Sequence, residues 1–258
     1  MPGLFGTFSG FADPLTVTVM LAAMVVAGFM RGFVGFGASM IMVLVLSHVI
    51  SPAAAVAVAS LSGVPVMVQL LPAAVRQAER SFVLPFACSS FIAAPLGTWV
   101  LVSVDGEVMK IAIATAVLVM VALMYRGWHL SRSPGSGVLV GMGAVAGVIQ
   151  GGGGIGGPPA VVVALARAGD AERQRANVIG VVAALNLCGI PPLAWHGLYT
   201  REVVLISLVL VPAYLAASWF GIRFFTSGGH RYYRDAALAL LSLTGLATLV
   251  RGIHDALA

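Results

Sequence analysis

Gly28-Phe-Met-Arg-Gly-Phe-Val-Gly-Phe-Gly37 and Gly147-Val-Ile-Gln-Gly-Gly-Gly-Gly-Ile-Gly-Gly-Pro-Pro159 are two glycine-rich stretches set inside apolar runs. Glycine weakens a helix interior, and proline suits the first turn of a new helix. Each stretch therefore reads as a joint, with a half-helix on either side. The joints align without a gap: 27–46 against 146–165 agrees at seven of twenty positions, among them Gly28/Gly147, Gly32/Gly151, Gly35/Gly154 and Gly37/Gly156. The likeness continues where Ser60-Leu-Ser-Gly-Val-Pro65 lies over Asn186-Leu-Cys-Gly-Ile-Pro191, and at Gly97/Gly221 and Arg126-Gly127/Arg251-Gly252. A chain with such pairing reads as a duplicated unit.

Outward from the joints the composition excludes a soluble fold. Of 258 residues, 60% are hydrophobic and 9% charged, with a mean hydropathy of +1.03, where a soluble domain carries roughly a quarter charged residues. Charged and Pro/Gly-rich breaks divide the chain into eight apolar blocks at 14–50, 52–72, 82–102, 108–125, 137–166, 177–195, 203–222 and 235–250. Six have the length of one crossing, about 20 residues. The two that hold the joints do not. Thirty residues of straight helix reach about 45 Å, against a hydrocarbon core of about 30 Å.

Arginines near membrane ends favour the cytoplasm. Four loops are basic: Arg76/Arg80, Arg126/Arg132, Arg167/Arg173/Arg175 and Arg223/Arg231/Arg234. They fall on one side together only if block 137–166 returns to the face it left, and the same rule is applied to its homologous partner, block 14–50. This predicts an all-α, multi-pass protein of the cytoplasmic (inner) membrane with both termini outside. Repeats 1–132 and 133–258 each contribute a Gly-broken hairpin and three transmembrane helices. Halves that start from opposite faces form an inverted-topology repeat, a ground plan of secondary transporters. The first apolar run follows Asp13 rather than a basic segment, so it reads as part of the mature chain.

At the two joints, and above all at Gly151-Gly-Gly-Gly-Ile-Gly-Gly-Pro-Pro159, the sequence resembles the sulfite exporter TauE/SafE family of membrane anion permeases. The likeness covers essentially the whole chain in size, duplication and joint placement. It implies movement of sulfur-containing anions such as sulfite, sulfoacetate or other organosulfonates across the cytoplasmic membrane. Some members of the family are linked to thiosulfate or carboxylates.

The chemistry at the joints agrees with an anion. An unwound glycine segment frees backbone N–H groups, and a half-helix starting there adds the positive end of its dipole. Gly35, Gly37 and Ser39 offer this in the first half, and Gly154, Gly156 and Gly157 in the second. The competing reading is that glycines only let helices approach, as the spacings Gly28/Gly32 and Gly143/Gly147/Gly151 would. Arg31 lies inside an apolar block, where a charge is a candidate ligand; its other readings are snorkelling to the interface or holding carbonyls of the joint. Its repeat partner is Gln150. Ser60 and Asn186 match one another just before Gly-Val-Pro and Gly-Ile-Pro, facing one cavity or bonding a neighbouring helix. Trp99, Trp128, Trp195 and Trp219 fall near block ends, as interfacial belt residues do.

Other function classes find little support. The net charge of +5 comes from topology-setting loop arginines, so nucleic acid is not expected as a partner; the lipid bilayer and a small anion are, and a homo-oligomer is compatible with the chain. Cys88 and Cys188 read as small apolar side chains, and neither metal nor cofactor is expected. Gly151, Gly153 and Gly156 fit a dinucleotide-binding spacing without the strand that motif needs. Every Asp and Glu lies in a terminus or loop, which points away from proton or sodium coupling through an embedded carboxylate. These features favour an anion exporter driven by the membrane potential, with an anion channel or a transporter of small carboxylates as the alternatives.

Overall fold

The computed structural model describes residues 14–47, 49–105, 108–109, 112, 115, 135–165, 170–232 and 239. Its helices are α1 (Pro14–Val34), α2 (Ala38–Leu46), α3 (Pro52–Gln77), α4 (Arg80–Ser103), α5 (Ser136–Gly153), α6 (Gly157–Leu165), α7 (Ala171–Trp195) and α8 (Arg201–Thr226), followed by a 3₁₀ turn at Gly229–Tyr232. No strand occurs among the described residues. The helices expected at 108–125 and 235–250, with Arg126, Trp128 and Arg132, lie almost wholly outside them.

Six of these helices are long and apolar enough to cross a membrane: α1, α3, α4, α5, α7 and α8. Local chemistry fixes several starts. Ser51 accepts from the Ala54 amide ahead of Pro52, Asp170 from the Arg173 amide and Thr200 from the Val203 amide, each filling one of the donors a helix start leaves open. Pro65, Pro72, Pro85, Pro95, Pro191, Pro192 and Pro212 all sit within helices, as membrane helices tolerate. The outer surface is apolar: Ile92 is 79% exposed and Trp195 89%. Trp99 and Trp219 are exposed as well, and Arg223 stacks on the Trp219 ring at 5.0 Å.

Both glycine stretches break their helices, at Gly35–Gly37 and at Gly154–Gly156. Gly35 and Gly37 have φ of 93° and 87° and Gly154 has 67°, the left-handed region that side chains with a Cβ disfavour. The pieces differ from the expectation of two half-helices per block. The first piece is full length, 21 residues in α1 and 18 in α5. Only the second is short, with 9 residues in α2 and in α6, about 14 Å against a core of about 30 Å. The joint doubles back on its own helix, since Gly156 lies against the Ala146 carbonyl and the Gln150 side chain.

A second correction concerns Arg175. It does not lie in a loop before a helix starting at 177; α7 begins at Ala171 and holds Arg175 in its second turn, buried. Its Nε donates to the Phe33 carbonyl at 2.9 Å and its Nη2 to the Gly32 carbonyl, and its guanidinium lies 4.2 Å from the Phe225 ring centre. The positive-inside count treated this arginine as a topology signal, whereas it caps the last turn of α1, where carbonyls lack partners.

The remaining glycines of the two stretches serve packing. Gly28 and Gly32 bring α1 onto the backbone of Tyr214 and Ser218 in α8, and Gly147 and Gly151 bring α5 onto that of Ser90 and Ala94 in α4. Across the latter contact Ser90 donates to the Gly143 carbonyl (2.8 Å) and Thr98 to that of Gly151 (3.2 Å). The two interfaces correspond residue by residue. Gly97 sits against the Val148 carbonyl and Gly152 amide, and Gly221 against the Phe29 carbonyl and Phe33 amide. Under the joint alignment Val148 is the counterpart of Phe29, and Gly152 of Phe33. Each jointed hairpin thus packs on a helix of the opposite half.

Candidate functional site

The two joints, α3 and α7 converge on a cavity of about 30 Å³, two to three times the minimum volume one water needs. Eight of the ten residues singled out in the sequence line it: Arg31, Gly37, Ser39, Ser60, Gln150, Gly154, Gly157 and Asn186. Gly35 and Gly156 stand behind the wall. Their amides are already used, Gly35 donating to the Arg31 carbonyl (2.9 Å) and Gly156 to Gln150 Oε1 (3.0 Å). The Gly154 amide is also taken, by the Gln150 carbonyl at 2.8 Å. The second joint therefore spends on its own closure two of the three amides expected to face an anion.

The first joint is built differently. Gly37 precedes α2 without a side-chain cap, and the amides of Ala38, Ser39 and Met40 meet no protein acceptor among the described residues. These three residues line the cavity with Gly37, so the start of α2 presents open donors and the positive end of its dipole to the space. In the second half, Pro158 and Pro159 occupy the equivalent turn of α6 and carry no N–H.

Arg31 comes from the last turn of α1 and is only 5% exposed. One Nη1 hydrogen reaches the Gly35 carbonyl at 2.8 Å, so the residue does brace its joint. A guanidinium has five N–H donors, and this bond uses one. No carboxylate pairs with Arg31 among the described residues. Gln150, its repeat partner, does the matching task with a neutral amide: Oε1 holds Gly156 while Nε2 has no protein partner among the described residues. Both therefore combine the bracing reading with a place on the cavity wall.

Asn186 is 8% exposed and its amide makes no hydrogen bond among the described residues. It packs on Gly63 of α3, where a Cβ would stand 2.5 Å from Nδ2, so Gly63 leaves the room the amide occupies. Ser60 shares a hydrogen bond with the Tyr199 hydroxyl at 3.1 Å. Tyr199 belongs to the loop between α7 and α8; burial raises its pKa above the usual 10, with the Ser60 bond pulling the other way. Sequence reasoning missed Tyr199 and also Tyr214, which lines the cavity from α8. The available signal for Tyr214 was a lone phenol in the apolar run between Glu202 and Arg223.

An apolar bundle that keeps a polar, cationic cavity between broken helices defines a multi-pass membrane protein of the small-solute transporter kind. The chain belongs to the sulfite exporter TauE/SafE family, whose sequence model matches residues 20–248. It is accordingly a membrane transporter of the sulfite-exporter type. No curated protein and no solved structure matches the chain.

Proposed function

We propose that this protein exports small sulfur-containing oxyanions, sulfite or organosulfonates, across the cytoplasmic membrane, and that it binds them in the cavity between the two glycine joints. The observation that carries the reading is Arg31: a buried guanidinium with one of five donors used, no acidic partner among the described residues, and the open amides of α2 on the same wall. An unpaired charge removed from water costs several kcal/mol. An anion arriving between Arg31 and α2 offsets that cost. Helix dipole and charge-assisted hydrogen bonds then act together at one point.

The repeats 1–132 and 133–258 are read as inverted in the membrane, with both termini outside. The reciprocal seating of Gly97 on α5 and Gly221 on α1 supports a two-fold relation between halves. An interior-negative potential favours outward movement of an anion by about 2.3 kcal/mol per charge per 100 mV. A cavity this small favours a carrier over an open pore, and the chain is read as having no catalytic role. The test is sulfite efflux from proteoliposomes under an imposed potassium-valinomycin potential. Efflux should saturate with sulfite and accelerate as the interior becomes more negative. Flux that ignores the potential and follows only a pH gradient refutes potential-driven export.

A further inference from the structure

We infer that the site is selective for charge number, accepting singly charged oxyanions and rejecting doubly charged ones. This rests on the anion-site reading above and narrows its substrate class. Among the described residues Arg31 is the one cationic side chain on the cavity wall. Its repeat counterpart is the neutral Gln150, and the position matching Ser60 is the neutral Asn186; both are buried, and neither the Nε2 of Gln150 nor the amide of Asn186 has a protein partner among the described residues. The second half has therefore kept hydrogen-bonding capacity and no charge. A tetrahedral anion seated here sets one oxygen on Arg31 and the α2 amides. Its remaining groups meet two carboxamides, which can donate to an oxygen or accept from a protonated one. A second full negative charge in the same space finds no cation among the described residues, and an uncompensated buried charge is strongly unfavourable.

The consequence divides the candidate substrates. Hydrogensulfite and simple sulfonates carry one charge, whereas sulfite after its second ionisation, thiosulfate and sulfoacetate carry two. The protein then moves one negative charge outward per cycle. Among the described residues the wall holds no histidine and no carboxylate. Arg31 on α1 and Tyr214 on α8 are its titratable side chains among the described residues, and α2, α3, α5, α6 and α7 present none to it. Tyr199 acts only through Ser60. Any pH dependence of binding between pH 6 and 9 therefore belongs to the ligand.

Two ligands of nearly equal shape separate charge from size. Methanesulfonate stays singly charged from pH 6 to 9, while methylphosphonate goes from one charge to two. Binding to the purified full-length protein, measured by calorimetry at pH 6 and pH 9, should change less than about twofold for methanesulfonate and fall about tenfold or more for methylphosphonate. Methylphosphonate binding that holds or strengthens at pH 9, beside unchanged methanesulfonate, overturns charge selection while leaving an anion site in place. A parallel loss of both overturns it too, because the titrating group is then in the protein. If neither ligand, nor sulfite, binds at either pH, the anion site itself is refuted and this inference with it.

Discussion

The guanidinium of Arg175 donates to the backbone carbonyl of Phe33 across 142 residues of sequence, at 2.9 Å, and so ties α7 to the last turn of α1 just before the first joint. The Gly32 carbonyl and the face of Phe225 hold the same guanidinium. Hydrogen bonds from charged donors contribute about 1.5–3 kcal/mol, and the carbonyls left behind would be buried and unpaired. Arg175→Ala is expected to lower unfolding free energy by about 2 kcal/mol or more, read as a fall in Tm of the detergent-solubilised protein. Arg175→Lys should recover little, since an ammonium lacks the planar fork that serves two carbonyls and an aromatic face. Arg223→Ala, which removes an exposed charge, is the comparison and should leave Tm nearly unchanged.

Glycines of similar appearance in the sequence should behave in opposite ways on substitution. A Cβ at Gly32 or Gly151 meets the carbonyl of Ser218 or Ala94, whereas one at Gly141 meets nothing. Gly32→Ala and Gly151→Ala are expected to destabilise by about 1–3 kcal/mol through overpacking. Gly141→Ala should be neutral or stabilise by up to about 1 kcal/mol through helix propensity. Thermal unfolding of the three variants checks this. A large loss in Gly141→Ala, or none in the other two, contradicts the packing assignment.

The joints were legible because their signals are local. Glycines that need positive φ, and a proline pair that starts a helix, mark a break whatever surrounds them. Arg31, Gln150, Ser60 and Asn186 could be gathered before any coordinates because the repeat aligns them in pairs. What stayed hidden depends on distant partners. The Gly156 amide is consumed by Gln150, and Arg175 is a cap rather than a loop charge, and neither fact follows from a residue's own neighbours. Tyr199 reaches Ser60 across 139 residues, a contact that hydropathy and loop charge do not encode. The glycine tracts placed both breaks but not the glycine at which the first helix ends, so the unequal lengths of the two pieces were not legible.

Arg31 variants test the site directly. Arg31→Gln keeps a donor for the Gly35 carbonyl and removes the charge, so folding should survive and anion affinity should drop about 10- to 100-fold, the worth of a charge-assisted contact. Arg31→Lys keeps the charge and loses the planar fork, so its affinity should fall in between. Expression and Tm measured alongside sulfite flux separate binding from folding. Unchanged flux and affinity in Arg31→Gln would remove this residue from the site.

Tyr199 gives a pH prediction whose sign follows from the direction of its shift. Its folded-state pKa is raised above the ordinary 10 by burial. A group with a raised folded pKa contributes stability that is complete below the unfolded value and is lost as pH climbs through the folded one. From pH 6 to 9 Tyr199 thus stays protonated and keeps its hydrogen bond to Ser60, and the bond's contribution does not vary. Tyr199→Phe should reduce stability by about 0.5–1.5 kcal/mol, by the same amount at pH 6 and pH 9. Above about pH 10 the wild type should lose stability that the variant never had, and the two unfolding curves should converge. Chemical denaturation of both proteins at pH 6, 9 and 10.5 measures this. A gap that already closes between pH 6 and 9 would mean that Tyr199 titrates near neutrality, and would place a proton-sensitive group beside Ser60 at the cavity wall.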